Sequence, residues 1–213
     1  MANPDARQLM DSAWDLRRTA LDADPTQQRV ILEEARALLR RAIAASATDG
    51  AEVQHAHALH LLANVEADAG DRAAARQLWE ESVTLLRASD DPLQLAHKLR
   101  HLGDLLREQG DLEAASVILD EALALYREHT PTDRARPSET LDLANAVRRV
   151  ALLREAEHRP EAAVLWTEAR ELYGALGLGE GVDDRCKVIE VAGLLQFYQT
   201  FDCPCGDALV WTA

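Results

Sequence analysis

Four alanines, Ala35, Ala75, Ala115 and Ala162, stand 40, 40 and 47 residues apart and carry the same neighbours with them. Four residues after each comes Leu39, Trp79, Leu119 or Trp166, and three beyond that comes Ala42, Ser82, Ala122 or Ala169. Leu86, Tyr126 and Tyr173 coincide under the same offsets, with Ser46 in the first copy. A chain that repeats at this period is built from one supersecondary unit, which cannot bury its apolar face alone and does so by stacking on the next.

The third copy shows what the unit is. Ala115, Ile118, Leu119, Ala122, Leu123 and Tyr126 recur at three- and four-residue steps, the apolar stripe of an α-helix, and Asp111 just after Gly110 reads as its N-cap. Ahead of it Leu99, Leu102, Gly103 and Leu106 describe a second helix, so a tight turn at Gly110 joins the two. Ala, Leu, Glu and Arg, which lose little side-chain freedom in a helix, are abundant, whereas Phe, Tyr and Ile are scarce; this favours helix over sheet.

The third copy resembles the tetratricopeptide repeat, whose signature is Trp-x2-Leu-Gly-x2-Tyr followed by Ala-x3-Phe. Leu99-x2-Leu102-Gly103-x2-Leu106 and Ala115-x3-Leu119 carry the match, and the resemblance spans roughly residues 5 to 176. Small residues let helices approach and large ones fill the gaps between them. The second copy, Leu59-x2-Leu62-Ala63, departs by ending on Glu66 where an aromatic is expected. The first copy (Trp14, Arg17, Arg18, Leu21) and the fourth (Ala146, Arg149, Val150, Leu153) are atypical, as capping repeats often are.

The resemblance implies an all-α fold: an α-α superhelix, a right-handed solenoid of about four helix pairs plus a C-terminal capping helix. The pairs are expected at about 5–47, 51–89, 92–129 and 138–176, making residues 1–182 one array. Thr130 to Ser138, with Pro131 and Pro137, is expected as a surface loop that accounts for the longer last spacing. Beyond the glycines at 174, 177, 179 and 181, residues 183–199 read as the capping helix and 200–213 as an irregular tail. That tail carries Phe201, Val210 and Trp211, too apolar for an indifferent end.

The family implies a role as well. The first helix of each of its pairs lines a concave groove, so residues beside the packing stripe of those helices are the candidate contacts. They are His57, His60 and Asn64 in the second copy, His97, Arg100, His101 and Arg107 in the third, and Arg148 and Arg154 in the fourth. The chain carries a formal charge of −14, yet it concentrates cationic and hydrogen-bonding groups on this one face, and five of its seven histidines lie on two of the helices. Arg and protonated His offer charge-assisted bonds to carboxylates, and an Asn amide can fix a peptide backbone. The expected partner is therefore an anionic protein or peptide. The competing reading is an ordinary polar helix surface, its arginines paired with acids such as Glu108 and Glu155. The carboxylate-clamp subset of the family, which binds acidic C-termini of heat-shock chaperones, is matched at Asn64 and Arg148 only, with His60 and His101 as substitutes and Ala144 in place of a Lys.

Other chemistries are weaker. His97 and His101 share a helix face, and His57 and His60 can approach from the next helix, which permits a metal, but neither carboxylate nor thiolate ligands join them. No metal and no cofactor are therefore expected. Cys203-Pro204-Cys205 has poor disulfide geometry and no second Cys pair, and with Cys186 it lies too late in the chain to staple the body of the fold. Trp79 and Trp166 stand where the repeat needs bulk. Neither a phosphate-cradling loop nor a nucleophile elbow is present, which argues against an enzyme. The acidic charge argues against nucleic acid. No segment has the apolar length of a membrane span, and Asp5 and Asp11 interrupt any signal sequence, so the expected location is the cytoplasm. Two further functions stay open: a self-associating module whose tail, through Trp211, docks in its own groove or a neighbour's, and a histidine-rich metal site.

Overall fold

The protein is described by a computed structural model, which covers residues 4–47, 51–131 and 135–177. Its described residues form eight α-helices and no strand: α1 (Pro4–Leu21), α2 (Pro25–Ser46), α3 (Glu52–Asp68), α4 (Arg72–Arg87), α5 (Pro92–Glu108), α6 (Leu112–His129), α7 (Pro137–Ala156) and α8 (Glu161–Ala175). The expected capping helix 183–199, the tail 200–213 and residues 132–134 of the loop before α7 lie outside the described residues.

Local chemistry sets the helix starts. Asp24 accepts hydrogen bonds from the Thr26 and Gln27 amides, with Pro25 entering the first turn. Asp71 accepts from Ala74 N and Asp111 from Ala114 N, the same cap one repeat later. The turns before these caps need a left-handed residue, supplied by Gly70 at φ 85° and Gly110 at φ 82°. Each lets the following amide reach back to the helix just finished, Asp71 to the Glu66 carbonyl and Asp111 to that of Leu106. In the last pair His158 takes this conformation at φ 56°, and Arg159 N closes the same bond to Arg154 O.

The helices fall in two compact units, Met1–Leu105 and Leu106–Ala213. In the first, α1 packs on α2, α2 on α3 and α3 on α4. Met10, Ala13, Leu32, Ala35, Leu39 and Leu62 are among the buried residues of its core, the alanines giving the close approach and the leucines the filling. Two ion pairs tie α3 to the helices before it. Arg17 of α1 spans Asp68, Nε to Oδ2 at 2.6 Å and Nη2 to Oδ1 at 3.3 Å, with its guanidinium 5.1 Å from the Trp14 ring centroid. Arg36 of α2 takes both oxygens of Glu66 at 2.7 and 2.5 Å and also bonds Glu33. Glu66 is buried, which is why the second copy can carry an acid where the repeat calls for an aromatic: the fork of Arg36 satisfies it.

In the second unit α6 packs on α7 and α7 on α8. Tyr173, buried at the repeated aromatic position, donates its hydroxyl to Asn145 Oδ1 of α7 at 2.8 Å. Trp166 and Ala169 are buried on the same stripe of α8.

Candidate functional site

Within the first unit, α3, α4 and α5 bring His57, His60, Trp79, His97 and His101 into one cluster. The His60 ring centroid lies 5.0 Å from that of His97 and 4.7 Å from that of His101, both edge-on, while His57 stacks on His60 at 6.4 Å. Trp79 stacks on His101 at 5.8 Å. Helical spacing explains the convergence: 57 and 60 are three apart, 97 and 101 four apart, so each pair shares a face. Lys98 and Arg100 accompany the cluster on α5, each with 1% of its surface exposed.

Two hydrogen bonds fix the protons. Trp79 Nε1–H donates to His60 Nδ1 at 3.1 Å, and Arg100 Nη2 lies 3.2 Å from His97 Nδ1. Indole and guanidinium only donate, so both Nδ1 atoms are acceptors and the hydrogen of each neutral ring sits on Nε2. Asn64 Nδ2 lies 3.2 Å from His60 Nε2; with the ring hydrogen on Nε2 the Asn64 amide is turned over, so that its oxygen accepts. Burial pushes His60 and His97 well below the ordinary histidine range, with the charge of Lys98 adding to the effect, and for His97 that of Arg100. His57 is lowered too, first by burial and then by Lys98 and Arg7.

Neutral imidazoles are the form that binds metals, and His60, His97 and His101 offer nitrogens within 4.8 Å of one another. Their chemistry nevertheless turns away from a cation. A tetrahedral zinc would draw the nitrogens to about 3.3 Å and take lone pairs. The Nδ1 lone pairs of His60 and His97 already receive hydrogens from donor-only groups. The opposite ring nitrogens in this tautomer are N–H donors, and two cations stand beside them.

The remaining residues singled out from the sequence are disposed differently. Arg148 of α7 is buried in the second unit, next to buried Arg149. Arg154 is engaged by Asp120 (Nη2 to Oδ1, 2.6 Å), by Glu157 at 2.9 Å and by the Ser116 hydroxyl at 2.9 Å, an ion-pair network between α7 and α6. Arg107 is largely covered and lies 3.8 Å from Glu108. Lys98, buried on α5 with its Nζ donating to Gln94 Oε1 at 3.2 Å, is missed by sequence reasoning. It follows His97 and reads like any solvated helix lysine, and only its burial distinguishes it. Trp79 acts as more than a packing residue, through its bond to His60.

Paired helices with small residues at their contacts, repeated along the chain, define a helical-repeat protein. The sequence profile of the tetratricopeptide repeat matches residues 54–128, so this stretch carries tetratricopeptide repeats. Among solved structures it is similar to BtubC (BKLC) from P. vanneervenii, at 20% identity and a TM-score of 0.58 over 79% of this chain and 74% of that one. It is also similar to two structures of the nearly identical TPR-like repeats of a Podosopora anserina putative kinesin light chain. One, a variant with a single glutamine replaced by methionine, has 18% identity, a TM-score of 0.52 and coverage of 95% and 97% of the two chains. The other has 17% identity, a TM-score of 0.51 and coverage of 97% and 100%. At such identities the likeness establishes the all-α repeat fold. No curated protein matches the chain. Tetratricopeptide repeats generally bind protein or peptide partners. Among the described residues no helix is long and apolar enough to cross a membrane.

Proposed function

We propose that the chain is a non-catalytic interaction scaffold that takes a protein or peptide partner through acidic groups, working in the cytoplasm. In the first unit the acid-binding residues are His57, His60, Asn64, His97, Arg100 and His101, to which Lys98 is added. In the second, Arg107, Arg148 and Arg154 are the cationic candidates. The observation that carries the reading is the buried basic pair on α5: Lys98 and Arg100 are both withdrawn from the surface, and Arg100 occupies the acceptor nitrogen of His97, which makes the opposite nitrogen an N–H donor. Such a set complements a carboxylate and repels a cation. Arg154 has the weaker claim, since its guanidinium holds α7 to α6 through Asp120.

The test is fluorescence anisotropy of labelled hexapeptides on the full chain at low salt. A hexaglutamate peptide is expected to bind and a hexalysine peptide not to. Arg100→Gln and Arg148→Gln, each checked for unchanged far-ultraviolet circular dichroism, separate the two units by which loses affinity. Equal binding of both peptides refutes the reading.

A further inference from the structure

We propose that the exposed flank of α2 is a self-association surface, on which the α2 of a second copy of this chain lies antiparallel across a two-fold axis. This is independent of the acid-binding reading of α3 and α5. Gln27, Ile31, Glu34, Leu38, Arg41 and Ala45 recur along α2 at alternating steps of four and three, the spacing by which two helices interlock. Beside them Val30, Ala37 and Ala44, seven apart, continue the surface, and Val30 keeps 61% of its area exposed. The flank lies on the side of α2 away from Arg36, which reaches Glu66 of α3, so it points away from the next repeat. Leu78 of α4 holds the repeat position of Leu38, three residues after its alanine, and packs against the core of α1, α2 and α3. The same position on α2 therefore carries the chemistry by which one helix layer stacks on another, beside Glu34, Ala37 and Arg41, which are exposed.

Charge selects the occupant and its direction. Glu34 and Arg41 form no ion pair among the described residues, whereas Glu33, one residue off the seam, is held by Arg36. Two copies of α2 laid parallel and in register would set Glu34 on Glu34 and Arg41 on Arg41. Laid antiparallel about an axis between Ala37 and Leu38, they set Glu34 against the partner's Arg41, and the symmetry makes that pair twice. The same register places Val30 and Ile31 opposite the partner's Ala45 and Ala44. Small side chains suit that end of the helix, where Thr26, Gln27, Val30 and Ile31 line an open hollow of about 270 Å³. From Gln27 to Ala45 the seam runs for about 27 Å, or about five helical turns.

Sedimentation velocity of the full chain across a concentration series at low salt tests the surface. The mass is expected to rise from one chain to two. Glu34→Arg and Arg41→Glu, each checked for unchanged far-ultraviolet circular dichroism, turn both cross-pairs repulsive and are expected to weaken the dimer at least about tenfold. The double variant, which exchanges the two charges, is expected to recover wild-type association. A mixture of the two single variants is expected to pair at concentrations where neither pairs with itself, because each position 34 then meets the opposite charge at position 41 of the other chain. A one-chain mass at every concentration overturns the proposal and leaves the flank to a different protein. A dimer that neither charge reversal weakens overturns it by placing the contact elsewhere. So does a dimer that the single variants weaken but that neither the double variant nor the mixture restores.

Discussion

Acidification between pH 6.5 and 5 is expected to strip stability from the first unit, and the size of the loss follows from its buried histidines. His60 and His97 are buried and held neutral in the fold, while in the unfolded chain they titrate at about 6.5. The unfolded state therefore binds more protons below pH 6.5, so stability is full above that value and falls as pH drops. Each histidine contributes a slope of about 1.4 kcal/mol per pH unit. Over 1.5 units the two together cost up to about 4 kcal/mol, and His57, lowered to about 3, adds to the loss, against a total of roughly 5–15 kcal/mol for an ordinary domain. Protonation also places a hydrogen on Nδ1, which breaks the bond from Trp79 to His60 and that from Arg100 to His97. The carboxylates held below their usual range, Glu33, Glu139 and Glu161, have the opposite folded-state preference: their contribution is present above about 4.5 and lost below it, outside the window. Urea unfolding at half-unit pH steps, followed by tryptophan fluorescence, measures the slope. His60→Gln, which keeps an acceptor for Trp79, is expected to lower the slope by about one proton. A midpoint that stays constant from pH 6.5 to 5 refutes the argument.

Three other outcomes follow from the packing and the site. His158→Gly relieves a left-handed side chain at φ 56° and is expected to raise stability by roughly 0.5–1 kcal/mol in thermal unfolding, because Gly meets that conformation without steric cost. Arg36→Met leaves the Glu66 carboxylate buried without its fork and is expected to cost about 3 kcal/mol, while the double variant Arg36→Met with Glu66→Leu recovers most of it; an equal loss in both would remove the ion pair as the cause. Zinc at tenfold excess over protein is expected to leave the melting temperature unmoved, since the Nδ1 lone pairs of His60 and His97 are taken; a rise of several degrees that His97→Ala abolishes would show a metal site instead.

The repeat at Ala35, Ala75, Ala115 and Ala162 was enough to set the all-α class, because small-large alternation at helical spacing has few other packing solutions. Caps were legible for the same reason: an Asp after a Gly states its own local hydrogen bonds, as at Asp111. The site was half legible. Spacing put His57 with His60 and His97 with His101, but which nitrogen carries a proton depends on Trp79 and Arg100 arriving from other turns and helices. Lys98 and Arg154 show the limit from opposite sides. Both are basic residues on the first helices of their pairs, yet Lys98 is buried and bonded to Gln94 while Arg154 is committed to Asp120. The sequence decides periodicity, because local sterics and apolar spacing act along the chain. Burial, protonation and ion pairing belong to the tertiary structure, because they depend on which distant atoms replace water around a charge.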